Sequence, residues 1–152
     1  MRGIKIVCVG KVKESFFREG IEDAAAGIRR SFPVAIRECK DEPTKEGASP
    51  AEESIILKKE GQRILSCIDR EDYVVALCID GKRYDSASFK RHLKEVIRKI
   101  KEQGSLVFVI GGSLGLSPEV LRRADEKLSF SAMTFPHQLM RMVLMEELCK
   151  NI

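Results

Sequence analysis

Leu106-Val107-Phe108-Val109-Ile110-Gly111-Gly112-Ser113-Leu114-Gly115-Leu116 is the stretch whose reading decides the fold. An apolar run empties into a glycine loop. A second short run follows and ends in a polar, proline-stopped loop: Leu128-Ser129-Phe130-Ser131-Ala132-Met133-Thr134-Phe135-Pro136-His137-Gln138-Leu139-Met140-Arg141. Strand ends that open into small-residue loops are where an α/β sheet binds a ligand, just outside the carboxyl ends of its strands.

Working outward, the rest of the chain supplies the other layers. Ile4 to Val9 reads as a strand, and Glu14 to Arg30 as a helix with Phe16, Phe17, Ile21, Ala24, Ala25 and Ile28 at helical spacing. Pro33 stops that helix, and Val34 to Cys39 is a short strand. Lys40 to Ala48 is polar and carries Pro and Gly, so it reads as the segment most open to motion. Ser49-Pro50-Ala51-Glu52 spells a capped helix start, and that helix runs to about Ile68. Tyr73 to Ile79 is apolar throughout, as a strand covered on both faces should be, and Asp80-Gly81 reads as a turn. Ser86 is the expected cap of a helix to about Gln103, ended by Gly104. Ser117-Pro118-Glu119 starts a short helix, Leu128 to Ser131 reads as a last strand, and His137 to Asn151 as a last helix. Strands alternating with helices predict the α/β class: one domain over residues 1–152 with a mostly parallel sheet covered by helices.

Composition sets the outer limits. A chain of 152 residues with 43% hydrophobic content suits one core. No apolar run reaches the length of a membrane span, and the amino terminus opens a strand rather than a secretory signal. Five cysteines without C-x-x-C spacing read as small buried hydrophobes in a reducing cytoplasm. His92 and His137 lie far apart, so no metal site is expected. A net charge of +4 permits a nucleic-acid partner without demanding one.

The glycine loop fits neither G-x-G-x-x-G nor the lysine-bearing phosphate loop. On spacing alone it is either a tight structural turn or a loop that lets a backbone approach a ligand closely. From Leu139 to Met145 only Arg141 is polar, so that helix either threads the core or packs against a second chain. Met133, Met140, Met142 and Met145 suit an adaptable packing surface. Lys90, Lys94, Arg98 and Lys101 share a helical face, which is a solvated face or an RNA track.

Phe108 to Leu116 and Leu128 to His137, in this order and spacing, resemble the ribosomal RNA large subunit methyltransferase H family of the SPOUT class. A weaker likeness covers Ile6-Val7-Cys8-Val9-Gly10-Lys11 through Lys59-Glu60-Gly61-Gln62-Arg63-Ile64-Leu65. The resemblance implies a carboxyl-terminal trefoil knot, and S-adenosylmethionine held by three loops. Carried over, these are Leu77, Gly111, and Phe130, Ser131, Ala132, Met133, Thr134 and Phe135. It implies a cytoplasmic homodimer that methylates N3 of a pseudouridine in 23S ribosomal RNA, within the large subunit or assembled ribosome. Arg141, His137, Lys11 and Glu146 are its expected RNA contacts, Arg141 first because a guanidinium binds in two-pronged fashion. No catalytic residue is assigned, although the N3 proton needs an acceptor.

The chain departs from the family in one respect. Members continue further, to a Tyr-His-basic tail, whereas this sequence stops at Asn151-Ile152 and has Cys149-Lys150 where many members have Tyr-Arg. That leaves two alternatives: a cofactor-binding RNA-binding module with weak turnover, and a small-ligand-binding regulatory α/β protein.

Overall fold

A computed structural model describes residues 1–152. The elements in order are β1 (Ile4–Val9), α1 (Ser15–Ile28), β2 (Val34–Cys39), α2 (Pro50–Leu65), β3 (Tyr73–Lys82), α3 (Ser86–Lys99), β4 (Leu106–Ile110), α4 (Pro118–Arg123), β5 (Glu126–Leu128) and α5 (His137–Asn151). The strands form one sheet in the order β2-β1-β4-β3-β5, with every neighbouring pair parallel. All the carboxyl ends therefore lie along one edge, and the loops that leave them become neighbours.

Alternation along the strands builds two half-cores. Ile4, Ile6 and Cys8 of β1, with Leu106, Phe108 and Ile110 of β4, turn to one face. There they meet Ile21, Ala25 and Ile28 of α1, Phe89, Leu93 and Val96 of α3, and Leu144, Met145 and Leu148 of α5. Val7, Val9, Val107 and Val109 turn to the other face, against Ile64 of α2 and Val120 of α4. A central parallel strand buried on both sides needs apolar residues at every position, which is why β4 reads as an unbroken run.

Four local readings are corrected by the structure. The cap of α3 is Asp85, not Ser86: its carboxylate accepts the Ser88 N–H at 2.7 Å, and the Ser88 hydroxyl accepts the Asp85 N–H at 3.1 Å. That bond to the Ser88 backbone holds the Asp85 carboxyl below its ordinary range. The same helix stops at Lys99, because Ile100 turns extended and packs against the core. Asp80-Gly81 is no turn. β3 continues to Lys82, and after an irregularity beyond Leu77 it pairs with Leu128. A side chain at Gly81 would stand 2.6 Å from the Leu128 backbone, so only glycine permits this approach. The last strand is Glu126–Leu128, and Ser129 to Ser131 lie beyond it in a loop.

The α5 helix is covered on two sides within the chain. One side enters the core, and another packs on α1, where Met142 lies over Gly20 and Cys149 over Gly27. The five cysteines are all free thiols. Burial pushes Cys8 up to about 11 and Cys39 up to about 12, so both are held as inert neutral hydrophobes.

Candidate functional site

The outer half of β3 and the loops after β4 and β5 meet around one cavity of about 150 Å³. Its wall includes Leu77, Gly111, Phe130, Ser131, Met133, Thr134 and Phe135. Of the residues expected to hold the cofactor, only Ala132 is not in that wall; it is exposed. Residues 77, 111 and 130–135 are thus brought together by the parallel register of three strands.

Gly111 is the tight point. A Cβ there would run into the carbonyl oxygen of Gly115, which folds back over it, and Gly115 takes a φ of 82° to do so. The loop from Ser129 to Pro136 is anchored at its start. The Ser129 N–H donates to the Lys82 carbonyl at 2.9 Å, and its hydroxyl donates to the Ser131 carbonyl at 2.9 Å. The Ser131 hydroxyl accepts the Met133 N–H at 3.0 Å, so it shapes the loop as well as facing the cavity. Phe130 is fixed from behind by an edge-on contact with Phe89 of α3, 6.4 Å between ring centres.

Sequence reasoning missed several wall residues. Cys78, Ile79, Gly112, Ser129 and Met140 also line the cavity. Gly112 and Met140 lay inside the quoted stretches, and only their role went unread. Ile79 is exposed despite its apolar strand setting, because β3 runs past its covering layer here.

His137 stands at the start of α5 and closes one side of the cavity. Burial, and then the charge of Arg141, lower its pKa, so its imidazole is neutral near pH 7. Its Nδ1 is buried and has no partner. Lys11 is exposed and lines a neighbouring cleft at the ends of β1 and β2. Glu146 is exposed on α5 and lines neither space.

Arg141 is corrected outright. It is among the largest fully buried side chains, 1% exposed. Nη1 donates to Glu38 Oε2 at 2.7 Å and Nη2 to the Gly10 carbonyl at 3.2 Å. The guanidinium ties α5 to the ends of β1 and β2 and is not free to grip a phosphate.

The cavity suits S-adenosylmethionine on this geometry. Leu77, Phe130 and Phe135 offer apolar walls, and Gly111 lets backbone come close without a side chain. The loop beyond β5 keeps peptide groups outside any ladder, as adenine recognition requires. A larger groove of about 660 Å³ adjoins it and shares Leu128, Ser129, Phe130, Ser131, Phe135 and Met140. No group of three or more His, Cys, Asp or Glu side chains is placed to hold a metal ion.

Known proteins resemble this chain along nearly its whole length. Residues 1–152 match the family described as predicted SPOUT methyltransferase. A ribosomal RNA large subunit methyltransferase H of Lactiplantibacillus plantarum is 49% identical over 146 residues, covering 95% of this chain and 89% of the relative. Proteins of the same name from Carboxydothermus hydrogenoformans and Streptococcus thermophilus are 46% and 43% identical over 145 residues, covering 95% of this chain and 90% of each relative. Among solved structures, a probable methyltransferase from Bordetella pertussis Tohama I aligns with a TM-score of 0.53 at 14% identity. It covers 97% of this chain and 93% of that one, a likeness of fold.

Proposed function

Because the chain belongs to the SPOUT methyltransferase family and uses S-adenosylmethionine, we propose that it methylates N3 of a pseudouridine in 23S ribosomal RNA, on the large subunit or assembled ribosome. The observation that carries this reading is the convergence of the outer half of β3 and the loops after β4 and β5 on a single cavity. The names of relatives covering nearly the whole chain supply the substrate class.

When bound, S-adenosylmethionine supplies a sulfonium methyl group. The work left to the protein is positioning, exclusion of water and a place for the N3 proton. Gly111 admits the cofactor, Leu77 and Phe130 bracket it, and Phe135 limits solvent.

The groove beside the cavity supports a homodimer. Leu139 and Val143, four residues apart on α5, line it with Phe89 and Met140. This is the one side of α5 that the chain itself leaves partly uncovered, and a second copy is its natural cover. Met142, by contrast, is spent on Gly20 of α1 within the chain. No helix is long and apolar enough to cross a membrane. A reaction on ribosomes places the protein in the cytoplasm.

The test is incubation with methyl-labelled S-adenosylmethionine and ribosomes lacking the modification, followed by nucleoside mapping. Label in N3-methylpseudouridine of 23S RNA is the expected result. Tight cofactor binding with no label in any ribosomal RNA overturns the reading.

A further inference from the structure

The carboxyl ends of β1 and β2 open a second cleft, of about 570 Å³. Only His137 lines both this cleft and the cofactor cavity, so one imidazole separates the two spaces. Lys11, Lys13 and Lys40 stand on the cleft wall, all exposed. Two carboxylates face them, Glu38 and Asp41. Glu38 Oε2 already accepts from Arg141 at 2.7 Å and from the Val12 N–H at 3.1 Å, so its charge is matched inside the chain. The remaining balance is three cations to one carboxylate.

The inner end of the cleft carries a second, independent signal. His137 Nδ1 and Gln138 Oε1 are both buried, and neither has a hydrogen-bond partner. Buried polar atoms without partners are rare in folded chains, and an orphan acceptor oxygen wants an N–H or O–H donor. Cations at the mouth and an unmet acceptor at the back match a nucleotide: phosphate outside, base edge inside.

We propose that this cleft seats the nucleotide that accepts the methyl group. Its backbone phosphates lie on Lys11, Lys13 and Lys40, and an N–H of its base edge meets Gln138 Oε1. The inference rests on the reading of the chain as an RNA methyltransferase and adds where the acceptor sits. Methyl transfer needs the two reactants in contact, and the cleft meets the cofactor cavity at His137. The larger groove also adjoins that cavity, but its wall carries Asp85 and Glu147 and no cation, so it does not suit a phosphate. The rival basic surface runs the wrong way. Lys90, Lys94 and Arg98 lie along α3, which leaves the carboxyl end of β3 and returns to the amino end of β4. Arg98 is twelve residues past Ser86, about 18 Å down that helix from the reacting edge.

Two triple variants decide the matter: Lys11→Glu with Lys13→Glu and Lys40→Glu, against Lys90→Glu with Lys94→Glu and Arg98→Glu. All six side chains are exposed, so both proteins should fold. Calorimetry with S-adenosylmethionine checks the cofactor cavity, and ribosome binding is measured against salt concentration. The cleft triple should keep the native cofactor affinity and bind ribosomes at least tenfold less tightly. Its slope of log affinity against log salt should fall by about 2, from ~0.7 for each of three single-strand phosphate contacts. The α3 triple should keep the native slope. A third variant, Gln138→Leu, should raise KM for ribosomes about tenfold without lowering Tm, because removing an orphan acceptor costs the fold nothing. Native methylation with a cleft triple that binds and methylates as the native protein does overturns this inference alone. So does a loss confined to the α3 triple, or a Gln138→Leu protein that loses stability with an unchanged KM. A native chain that binds cofactor and methylates no ribosomal RNA overturns the function reading, and this one with it.

Discussion

Replacing Arg141 by methionine tests whether this residue holds the fold or the RNA. Methionine keeps the length and apolar stem but deletes the bonds to Glu38 at 2.7 Å and to the Gly10 carbonyl at 3.2 Å. Breaking a buried ion pair by removing one partner costs roughly 3–5 kcal/mol. Arg141 is 1% exposed but the Glu38 side chain is 37% exposed, so the abandoned carboxylate recovers part of its hydration. The lower end, about 3 kcal/mol, therefore applies. For a domain of this size each kcal/mol moves Tm by about 2–4 °C, so the expected drop is ~6–12 °C. Differential scanning calorimetry reads it, with Arg141→Lys recovering only part, because an ammonium cannot fork to both acceptors. In a double-mutant cycle, Glu38→Gln in the Arg141→Met background should add little further loss. The refuting result is an Arg141→Met protein that melts within 2 °C of native and has lost ribosome binding, for that guanidinium would be facing RNA.

Four further outcomes are expected. Gly111→Val drives a side chain into the Gly115 carbonyl and should weaken S-adenosylmethionine binding about a hundredfold by calorimetry, or ~3 kcal/mol, with far-UV circular dichroism unchanged. His137 has a folded pKa below its ordinary 6.5, so the unfolded chain binds the proton more readily and stability falls as pH drops below 6.5; His137→Gln should flatten Tm against pH in that window. Val143→Asp puts a charge in the apolar groove and should shift light scattering from dimer mass to monomer mass, while a native protein already monomeric at micromolar concentration refutes the dimer. With a net charge of only +4, the chain should methylate assembled ribosomes faster than the isolated stem-loop, and equal single-turnover rates would contradict this.

How far the sequence could be read depended on which physical signal each segment carries. The strand Leu106–Ile110 was legible to the residue because burial on both faces demands an unbroken apolar run, and Ile4–Val9 and the edge strand Val34–Cys39 were legible because Gly10, Pro33 and Lys40 bound them. Ser49 was legible as a cap because the capping box is a local pattern, and the structure makes both of its bonds. Asp80-Gly81 was not, since a glycine that yields a turn in isolation here admits the backbone of Leu128, a contact 47 positions away in sequence. Arg141 was misplaced for the same reason. A lone arginine in an apolar helix reads as a ligand contact until its partner is known, and Glu38 is 103 positions away. Of the proposed acceptor cleft, Lys11 and His137 were legible through the resemblance, whereas Lys40 and Gln138 were not, because nothing local in the sequence says that the end of β2 and the start of α5 face Lys11 across one space.

The loop after β5 explains why one misread boundary mattered for function. Phe130 and Ser131 looked like strand residues because an aromatic flanked by small polar side chains fits a pleated surface. As a strand, their peptide groups would be spent on a ladder with β3. Instead β5 stops at Leu128, and Ser129 turns the chain by donating to Lys82 and to the carbonyl of Ser131. From Phe130 to Phe135 the backbone makes no ladder bonds, so apart from the Met133 N–H and the Ser131 carbonyl its peptide groups stay available for a ligand whose recognition depends on them. Pro136 then starts α5 without a side-chain cap and sets His137 against the same space. The strand must end early for the cavity to exist: three more residues of pairing would carry Ser129, Phe130 and Ser131 into the sheet and leave Leu77 and Gly111 with no facing wall.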